Sequence, residues 1–243
     1  MINGMTVGEN TVTESIWRRL QDDPELPDAT STYSRIVDTA TSLADAQGLD
    51  AVTMQRVAKR LDMPTMRLYR FVRSTEEIVE LMVDAVYGYD LQVEDSMSWK
   101  SLLRSMAWQL RGAFLRHPWL VWSVAAAGPL TPNVVAHTDQ LLAAVRRFGI
   151  DPDIGMVALL TVRSYTAGST AAHLAQHRLL QREGVDTLDG LADSADSVRA
   201  HLPSAPCHPA YRRYVHEAER KDDAEWQFSV GLACVLDGIG SHL

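Results

Sequence analysis

The stretch LDMPTMRLYRFVRSTEEIVELM, residues 61–82, predicts one short helix placed between two others. A residue before proline is disfavoured in the α region, and proline fits the first turn of a helix. We therefore expect a break at Met63 and a new helix that starts near Pro64. That helix is short, because Ser74 and Thr75 can cap the next helix and the two glutamates that follow suit the positive end of its dipole.

Two segments before this stretch repeat apolar residues at helical spacing. The first helix runs from about Tyr33 until Gly48 stops it, and the second is short and begins after Thr53, a capping residue. Two short helices joined by a three-residue turn, with longer helices before and after, form the pattern of a helix-turn-helix unit. Its small core is predicted to consist of Leu61, Leu68 and Val72.

Beyond this unit the sequence predicts helices and no strand, so the expected fold class is all-α. A fourth helix carries apolar residues from Ile78 to Tyr89. The segment 183–209 is rich in Asp, Ser, Gly and Pro and predicts a mobile surface loop with at most one short helix. The other predicted helices cover residues 99–116, 119–127, a segment that opens at Thr131 and Pro132, residues 151–181 and residues 224–239.

Charge is distributed unevenly along the 243 residues. The net charge is −8, which taken alone argues against a nucleic-acid partner, because phosphate binding depends on clustered Lys and Arg. Residues 51–75, however, hold six basic residues and one acid, a balance of +5 that leaves −13 for the rest of the chain. This split suits a small basic head on an acidic body, although an excess of five charges also occurs on ordinary solvated helices.

Composition is typical of a globular protein, with 46% hydrophobic and 22% charged residues. The N-terminal segment lacks a basic region followed by an apolar run, and the longest nearly apolar stretch, residues 119–130, is shorter than the roughly 20 residues of a membrane span. We therefore expect a cytoplasmic protein with no membrane partner. Cys207 and Cys234 form no CxxC pair; both are expected to be reduced, and Cys234 to lie in the core.

Residues 34–86 resemble the DNA-binding domain of the tetracycline-repressor (TetR) family. The resemblance is carried by IVDTATSLADAQGLDAVTM in the first helix and its continuation, VAKRL in the second, LYRFV in the third and TEEIVELMVDAV in the fourth. The remaining chain, with HPWLV, GPLTPN and FGIDPD before a long helix, is similar to the ligand-binding and dimerisation domain of the same family. The chain departs from the family pattern at Asp62, where glycine is common, at Pro64 (serine), at Phe71 (histidine) and at Thr75 (lysine).

This resemblance divides the chain into three predicted units. Residues 1–30 are a flexible N-terminal arm with a short helix near Trp17, residues 31–77 a helix-turn-helix DNA-binding domain, and residues 78–243 a helical ligand-binding and dimerisation domain. The predicted function is that of a sequence-specific transcriptional repressor, released from a palindromic operator by a small, largely apolar ligand. Two alternatives stay open at this point: an all-helical enzyme acting on a hydrophobic small molecule, and a DNA-binding module without a ligand.

DNA contacts are expected from the first turns of the third helix, because that end of a recognition helix enters the major groove. Its base-facing candidates are Thr65, Met66, Arg67 and Arg70. An arginine there can read guanine and Met66 can touch a thymine methyl group; the alternative is that the arginines meet only phosphates. The resemblance implies contacts from Thr53, Gln55 and Tyr69, with a core role as the alternative for Tyr69. Arg73 and Thr75 complete the predicted DNA-contacting residues. Arg73 can take the role of the lysine that the family commonly has where Thr75 stands.

Ligand binding is expected in the helical body. Trp99, Trp108, Trp119 and Trp122 fall within 24 residues, and large aromatics favour apolar ligand pockets, although they equally fill cores. Polar residues recur at helical spacing from Arg163 to His177; such a stripe is more often a solvated face, but if buried it would line a pocket and orient the ligand. The predicted ligand-binding residues are Met82, Trp108, Trp119, Trp122, Arg163, Thr166, Thr170 and His173.

A homodimer is expected, because a unit this small binds DNA weakly on its own. The predicted interface uses the last two long helices, and the alternative is that their apolar stripes are buried within one subunit. On the first of these helices the stripe consists of Val157, Leu160, Ser164, Ala167, Ala171 and Leu174.

Neither a metal site nor an active site is predicted. His173 and His177 have the spacing of metal ligands, but the HLAQH segment lacks the glutamate of an HExxH motif. GxSxG, Walker and GxGxxG patterns are absent from the sequence. We therefore expect a protein that is not an enzyme and uses no cofactor.

Overall fold

The computed structural model describes residues 15–22, 29–88, 97–125, 130–193 and 209–243. Within these ranges the chain forms twelve α-helices and one 3₁₀ turn, Leu49–Ala51, with no β-strand, so the predicted all-α class is confirmed. No helix among these residues combines the length and apolar character of a membrane span. The helices are α1 (Ile16–Asp22), α2 (Ala29–Gln47), α3 (Met54–Arg60), α4 (Thr65–Leu68), α5 (Thr75–Tyr87), α6 (Trp99–Arg116), α7 (Pro118–Ala125), α8 (Pro132–Arg146), α9 (Pro152–Glu183), α10 (Leu188–Asp193), α11 (Pro209–Glu217) and α12 (Ala224–Gly240).

Side-chain caps confirm several predicted helix starts. The Oγ1 of Thr53 accepts a hydrogen bond from the Arg56 amide at 3.3 Å at the start of α3. At the start of α5, the Oγ of Ser74 accepts one from the Glu77 amide at 3.4 Å. Proline occupies the first turn of both α8 and α9, as the sequence predicts.

Two apolar clusters hold the helices together. The first contains Leu61, Leu68 and Val72, the predicted small core, together with residues of α2, α5, α7 and α8. The second lies between α6, α8, α9 and α12 around Phe228. Since the first cluster runs from the helix-turn-helix unit into α7 and α8, this unit and the helical body share one core. α9 packs against α6, α7, α8 and α12 and forms the central axis of the body.

Two predicted irregular segments contain helices. The short helix expected near Trp17 is α1, and the segment predicted as a loop at 183–209 includes α10. The sequence pattern gives no prediction for α11. Residues 1–14 and 23–28 of the predicted arm, residues 194–208 of the predicted loop, and Tyr89 and Cys207 lie outside the described residues.

The inward face of α12 corrects two predictions. Phe228, Leu232 and Leu236 are buried within one subunit, so the apolar stripe predicted for a dimer interface serves the core instead. Cys234 is exposed rather than buried. It is two residues from both leucines, about 200° around the helix, and therefore points away from the core.

The stripe predicted on α9 divides into two parts. Ala167 is buried in the first cluster, and Ala171 and Leu174 pack against it. Val157 and Leu160, nearer the start of the helix, are exposed. Burial within one subunit therefore accounts for the second part of the stripe, and the first part remains available for contact with another copy.

Candidate nucleic-acid interface and interior polar sites

The inner side of α4 is fixed by buried residues. Leu68 and Val72 are fully buried, and Phe71 packs against Tyr33 of α2 with the two rings edge to face at 5.7 Å. The Tyr33 hydroxyl also donates a hydrogen bond to the Phe71 carbonyl at 3.1 Å. Phe71, where the resembling family commonly has histidine, is thus a packing residue that anchors the end of α4 to α2.

The outer side of α4 carries the predicted base-facing residues. Met66 is 78% exposed and Tyr69 is 44% exposed, so Tyr69 does not have the core position considered as its alternative. Arg67 and Arg70 are exposed and Thr65 is partly exposed. Leu68, Phe71 and Val72 turn toward the core, so the other side chains of this short segment reach solvent.

The turn between α3 and α4 contains Asp62, the one described non-glycine residue with a positive φ, at 53°. The Met63 amide donates to the Ala58 carbonyl at 3.0 Å, and the Asp62 amide to the Lys59 carbonyl at 3.3 Å. These are the paired hydrogen bonds of a Schellman motif, which needs a left-handed residue just after the helix. Glycine adopts that conformation most easily, and aspartate is among the few other residues that tolerate it.

Glu77 connects three segments at the start of α5. Its carboxylate accepts a hydrogen bond from the Arg73 amide at 2.7 Å and two from the Arg19 guanidinium at 2.9 and 2.7 Å. Arg19 lies on α1, so this bidentate pair holds the N-terminal helix against the base of the helix-turn-helix unit. The sequence pattern marks Glu77 only as a residue suited to the start of a helix and does not predict its pairing with Arg19, because no local spacing relates residues 58 positions apart.

The remaining predicted DNA contacts lie around α4. Gln55 is exposed on the first turn of α3, and Arg73 is exposed just before α5. Thr53 and Thr75 are partly exposed at the starts of α3 and α5. The basic side chains of α3 also reach solvent; they belong to Arg56, Lys59 and Arg60.

Asp45 of α2 bridges the helix-turn-helix unit and the body. Its Oδ1 accepts a hydrogen bond from the Trp119 Nε1 at 2.8 Å and lies 2.9 Å from the Nδ1 of His117. Trp119, a predicted ligand residue, is buried with its polar atom already bonded. A second bridge joins α5 to α8, where the Asp84 carboxylate accepts the Asn133 amide at 2.7 Å.

The other predicted aromatic ligand residues are spread over the body. Trp108 packs edge to face on Phe228, with ring centres 4.8 Å apart, and Trp122 is 63% exposed. Met82 is fully buried in the first apolar cluster. The tryptophans are close in sequence but are not brought together in space, because they lie on two different helices, α6 and α7.

The polar stripe of α9 is largely an interior feature and not a solvated face. Thr166 and Thr170 are fully buried, and their hydroxyls donate to the carbonyls of Val162 and Thr166 at 2.8 and 2.7 Å. Arg163 and His173 are partly buried. The stripe therefore presents two larger polar groups to the inside of the body, one on each side of the threonines along α9.

Polar side chains from α5, α8 and α9 lie together at Tyr87; we call them the Tyr87 group, consisting of Tyr87, His137 and Arg163. The rings of Tyr87 and His137 meet edge to face at 5.8 Å. Burial raises the pKa of Tyr87, and the charge of the nearby Arg163 opposes this shift. The hydroxyl of Thr131 is buried without a hydrogen-bond partner among the described residues. Buried polar groups are normally bonded, so this hydroxyl is available to a ligand.

α4 is an exposed basic helix of a helix-turn-helix unit, and this unit shares a core with a helical body that contains buried polar groups. This arrangement is that of a ligand-regulated DNA-binding protein. Comparison with known families agrees with this class. Residues 36–82 match the bacterial regulatory proteins of the tetR family, and residues 93–243 match the tetracyclin repressor-like C-terminal domain. The chain belongs to the TetR family and is a DNA-binding transcriptional regulator.

Relatives and solved structures cover most of the chain. The HTH-type transcriptional repressor DrrR1 of Streptomyces coeruleorubidus is 29% identical over 233 residues, covering 93% of this chain and 83% of that protein. The class C tetracycline repressor protein of Escherichia coli is 23% identical over 207 residues, covering 84% and 88% of the two chains. The TetR family protein ActR of Streptomyces coelicolor, in complex with actinorhodin, superposes with a TM-score of 0.68 at 23% identity, covering 86% of this chain and 97% of ActR.

Proposed function

We propose that the protein is a repressor that binds a pseudo-palindromic operator as a homodimer and leaves it when a small, largely apolar ligand occupies the body. The main support for this proposal is the outer side of α4. Met66, Arg67 and Arg70 reach solvent there, while buried residues hold the inner side against the core. Repression is supported by two relatives, DrrR1 and the class C tetracycline repressor, which are both named repressors. A regulator that acts on bacterial DNA works in the cytoplasm.

In this proposal the first turns of α4 enter the major groove. Arg67 or Arg70 donates two hydrogen bonds to guanine O6 and N7, and Met66 contacts a thymine methyl group, each worth about 1–3 kcal/mol of discrimination. Contacts to the sugar–phosphate backbone fix the orientation of the protein but do not specify sequence. These contacts come from Thr53, Gln55, Tyr69, Arg73 and Thr75, whereas Thr65 faces the bases with Met66, Arg67 and Arg70.

Dimerisation is proposed through exposed apolar residues of α9 and of α12. Val157 and Leu160 on α9 are 59% and 50% exposed, and Trp226 and Val230 on α12 are 44% and 43% exposed. Since α9 and α12 pack against each other, two copies can bury these side chains around a two-fold axis. Such a dimer can present its two α4 helices to half-sites one helical turn apart, about 34–36 Å.

The ligand is proposed to bind at the Tyr87 group, with Met82 in the adjoining apolar core. The ring pair and Arg163 supply polar contacts, and the surrounding first cluster supplies apolar surface. ActR, which has the same fold, has been solved with actinorhodin bound. A ligand that binds better to a state with α5 displaced lowers operator affinity, and a coupling of about 1–3 kcal/mol suffices for substantial release.

A mobility-shift titration with DNA from upstream of the protein's own gene tests the proposed operator contacts. We expect Arg67→Ala and Arg70→Ala each to weaken binding by about tenfold, because each removes a base or phosphate contact. Arg178→Ala, which removes an exposed arginine from α9, is the matched control and should bind as the wild type does. Unchanged binding by both α4 variants at several salt concentrations would exclude α4 as the recognition helix.

A further inference from the structure

We infer that the body contains a second ligand site, for a small organic acid, in a cavity between α9, α12 and the segments that follow α9 and precede α12, beside Arg111 and His173. This inference goes beyond the proposed repressor function, because the cavity shares no residue with the Tyr87 group. It rests on a buried arginine that forms no ion pair within 4 Å among the described residues, on the protonation of the histidine that this arginine contacts, and on the donors that line the cavity wall.

Arg111 of α6 is a buried cation, 4% exposed. Its guanidinium lies 4.7 Å from the centre of the Phe228 ring, and its Nη2 contacts His173 Nδ1 at 3.2 Å and the Ala224 carbonyl at 3.4 Å. The other terminal nitrogen, Nη1, has no hydrogen-bond partner, and Arg111 takes part in none of the ion pairs within 4 Å among the described residues; the charge of the Glu225 carboxylate acts on it from farther away. A buried guanidinium without a paired anion is costly, so an anion that reaches it is favoured.

The contact with Arg111 determines the protonation of His173. Arginine can only donate, so the Nδ1 of His173 accepts from it and the neutral ring carries its proton on Nε2. Burial lowers the pKa of His173, and the charges of Arg111 and then His177 lower it further. The Nε2–H of His173 is therefore a second donor next to the guanidinium.

The cavity has a volume of about 210 Å³. Arg111 does not itself line the cavity, but His173 and Ala224, the two residues that its Nη2 contacts, both do, so the guanidinium lies close to the cavity wall. Further donors on the wall are the side chains of Ser169, Gln176 and His177. Several converging donors and one unpaired positive charge suit a carboxylate, which accepts hydrogen bonds on both oxygens.

The acidic residues of the cavity orient such a ligand. Asp186 and Asp222 also line the cavity and are exposed, and Asp222 already accepts the Leu188 amide at 3.1 Å. Repulsion from these two carboxylates directs the acid group of a ligand away from them and toward Arg111. Lys221 is paired with Asp189 at 2.9 Å, which leaves Arg111 as the charge that selects for an anion.

Calorimetric titration with 2-naphthoate and with 2-naphthamide, two probes of the same shape, tests this site. We expect the wild type to bind the acid at least about tenfold more tightly than the amide, because only the acid pairs with the buried charge. Arg111→Met should remove this preference, since methionine fills the same space without charge, and Thr131→Val, which does not line the cavity, should retain it. Equal affinities for the two probes, or no binding of the acid, would overturn the inference.

A second variant keeps the test decisive if Arg111→Met does not fold. His173→Leu changes a partly exposed residue and should reduce the preference for the acid by at least about threefold, because leucine lacks the Nε2–H donor. A full preference in this variant would contradict the assigned role of His173. Operator binding in the same preparation separates the two proposals: a protein that binds DNA without preferring the acid overturns only this site.

Discussion

At Asp62 the backbone adopts a φ of 53°, a conformation that costs an L-residue roughly 1 kcal/mol relative to glycine. The hydrogen bonds that require it run from Asp62 and Met63 back to the last turn of α3. They end α3 and set the direction in which the chain enters α4. The orientation of the recognition helix is therefore maintained against local strain at one residue.

Asp62→Gly should raise the free energy of unfolding by about 0.5–1 kcal/mol, because glycine reaches the left-handed region without strain. Urea denaturation measures this change. Asp62→Ala is the control; alanine lacks both the flexibility of glycine and the short polar side chain of aspartate, and should be neutral or destabilising. A loss of stability in Asp62→Gly would mean that the carboxylate, not the backbone, governs the turn.

Helices α9 and α12 come close together at Gly231. A Cβ at this position would lie 2.8 Å from the Cζ of Tyr165, closer than real side-chain contacts allow. The Tyr165 hydroxyl donates to the Phe228 carbonyl at 2.9 Å, and its ring stacks on that of Phe228 at 5.5 Å. The absence of a side chain at Gly231 is thus what lets Tyr165 cross to α12 and lock the two helices.

Gly231→Ala should lower the free energy of unfolding by about 1–3 kcal/mol, because the added methyl group displaces Tyr165 from a well-packed contact. Gly238→Ala on the same helix is the matched control, since a Cβ there meets no atom within 4 Å. Alanine favours a helix over glycine, so the control should gain about 0.5–1 kcal/mol. Thermal unfolding distinguishes the two, and equal effects would show that Tyr165 can move aside freely.

Helix starts could be predicted from the sequence because the contacts that make them are local. Thr53 and Ser74 bond to amides three residues away, and proline acts on its own turn. The inward face of α12 could not be predicted in the same way, because residues 224–239 are apolar on several sides and only the packing of α9 selects one. For this reason the pattern placed Cys234 in the core although it is exposed.

At the scale of the whole molecule, the helix-turn-helix unit and the body are joined by polar bridges as well as by the shared core. Asp45 should be central to this junction, because its carboxylate accepts the only polar hydrogen of the Trp119 side chain. Asp45→Ala leaves that buried donor unbonded, which costs about 1–3 kcal/mol. We expect amide hydrogen exchange in α7 to become about tenfold faster, while exchange in α4 is unchanged.

Asp38→Ala is the control for this exchange experiment, because Asp38 is an exposed carboxylate on the same helix, and within the described part of the chain its side chain bonds only to Ser34, at 3.5 Å. It should leave exchange in α7 as it is in the wild type. If Asp45→Ala also leaves α7 unchanged, the shared apolar core alone holds the junction.

The candidate sites differ in how far the sequence predicts them. The DNA-facing residues of α4 form one short segment, so the proline break and the family resemblance together locate them, and their roles stay predictions. The interior groups are assembled from distant helices: Tyr87 meets His137, and Arg111 meets His173 across 62 positions. Such contacts depend on how helices pack, and no periodicity in a single segment reports them.

Helix α5 runs without a break from the helix-turn-helix unit into the body. Its thirteen residues span about 20 Å, from Ser74 beside the recognition unit to Tyr87 inside the body. If this rod pivots by about 5° at its inner end, the outer end moves by about 2 Å. Hydrogen bonds tolerate displacements of only a few tenths of an ångström. A small movement of α5 around a ligand in the body is therefore enough to move α4 out of register with the DNA groove.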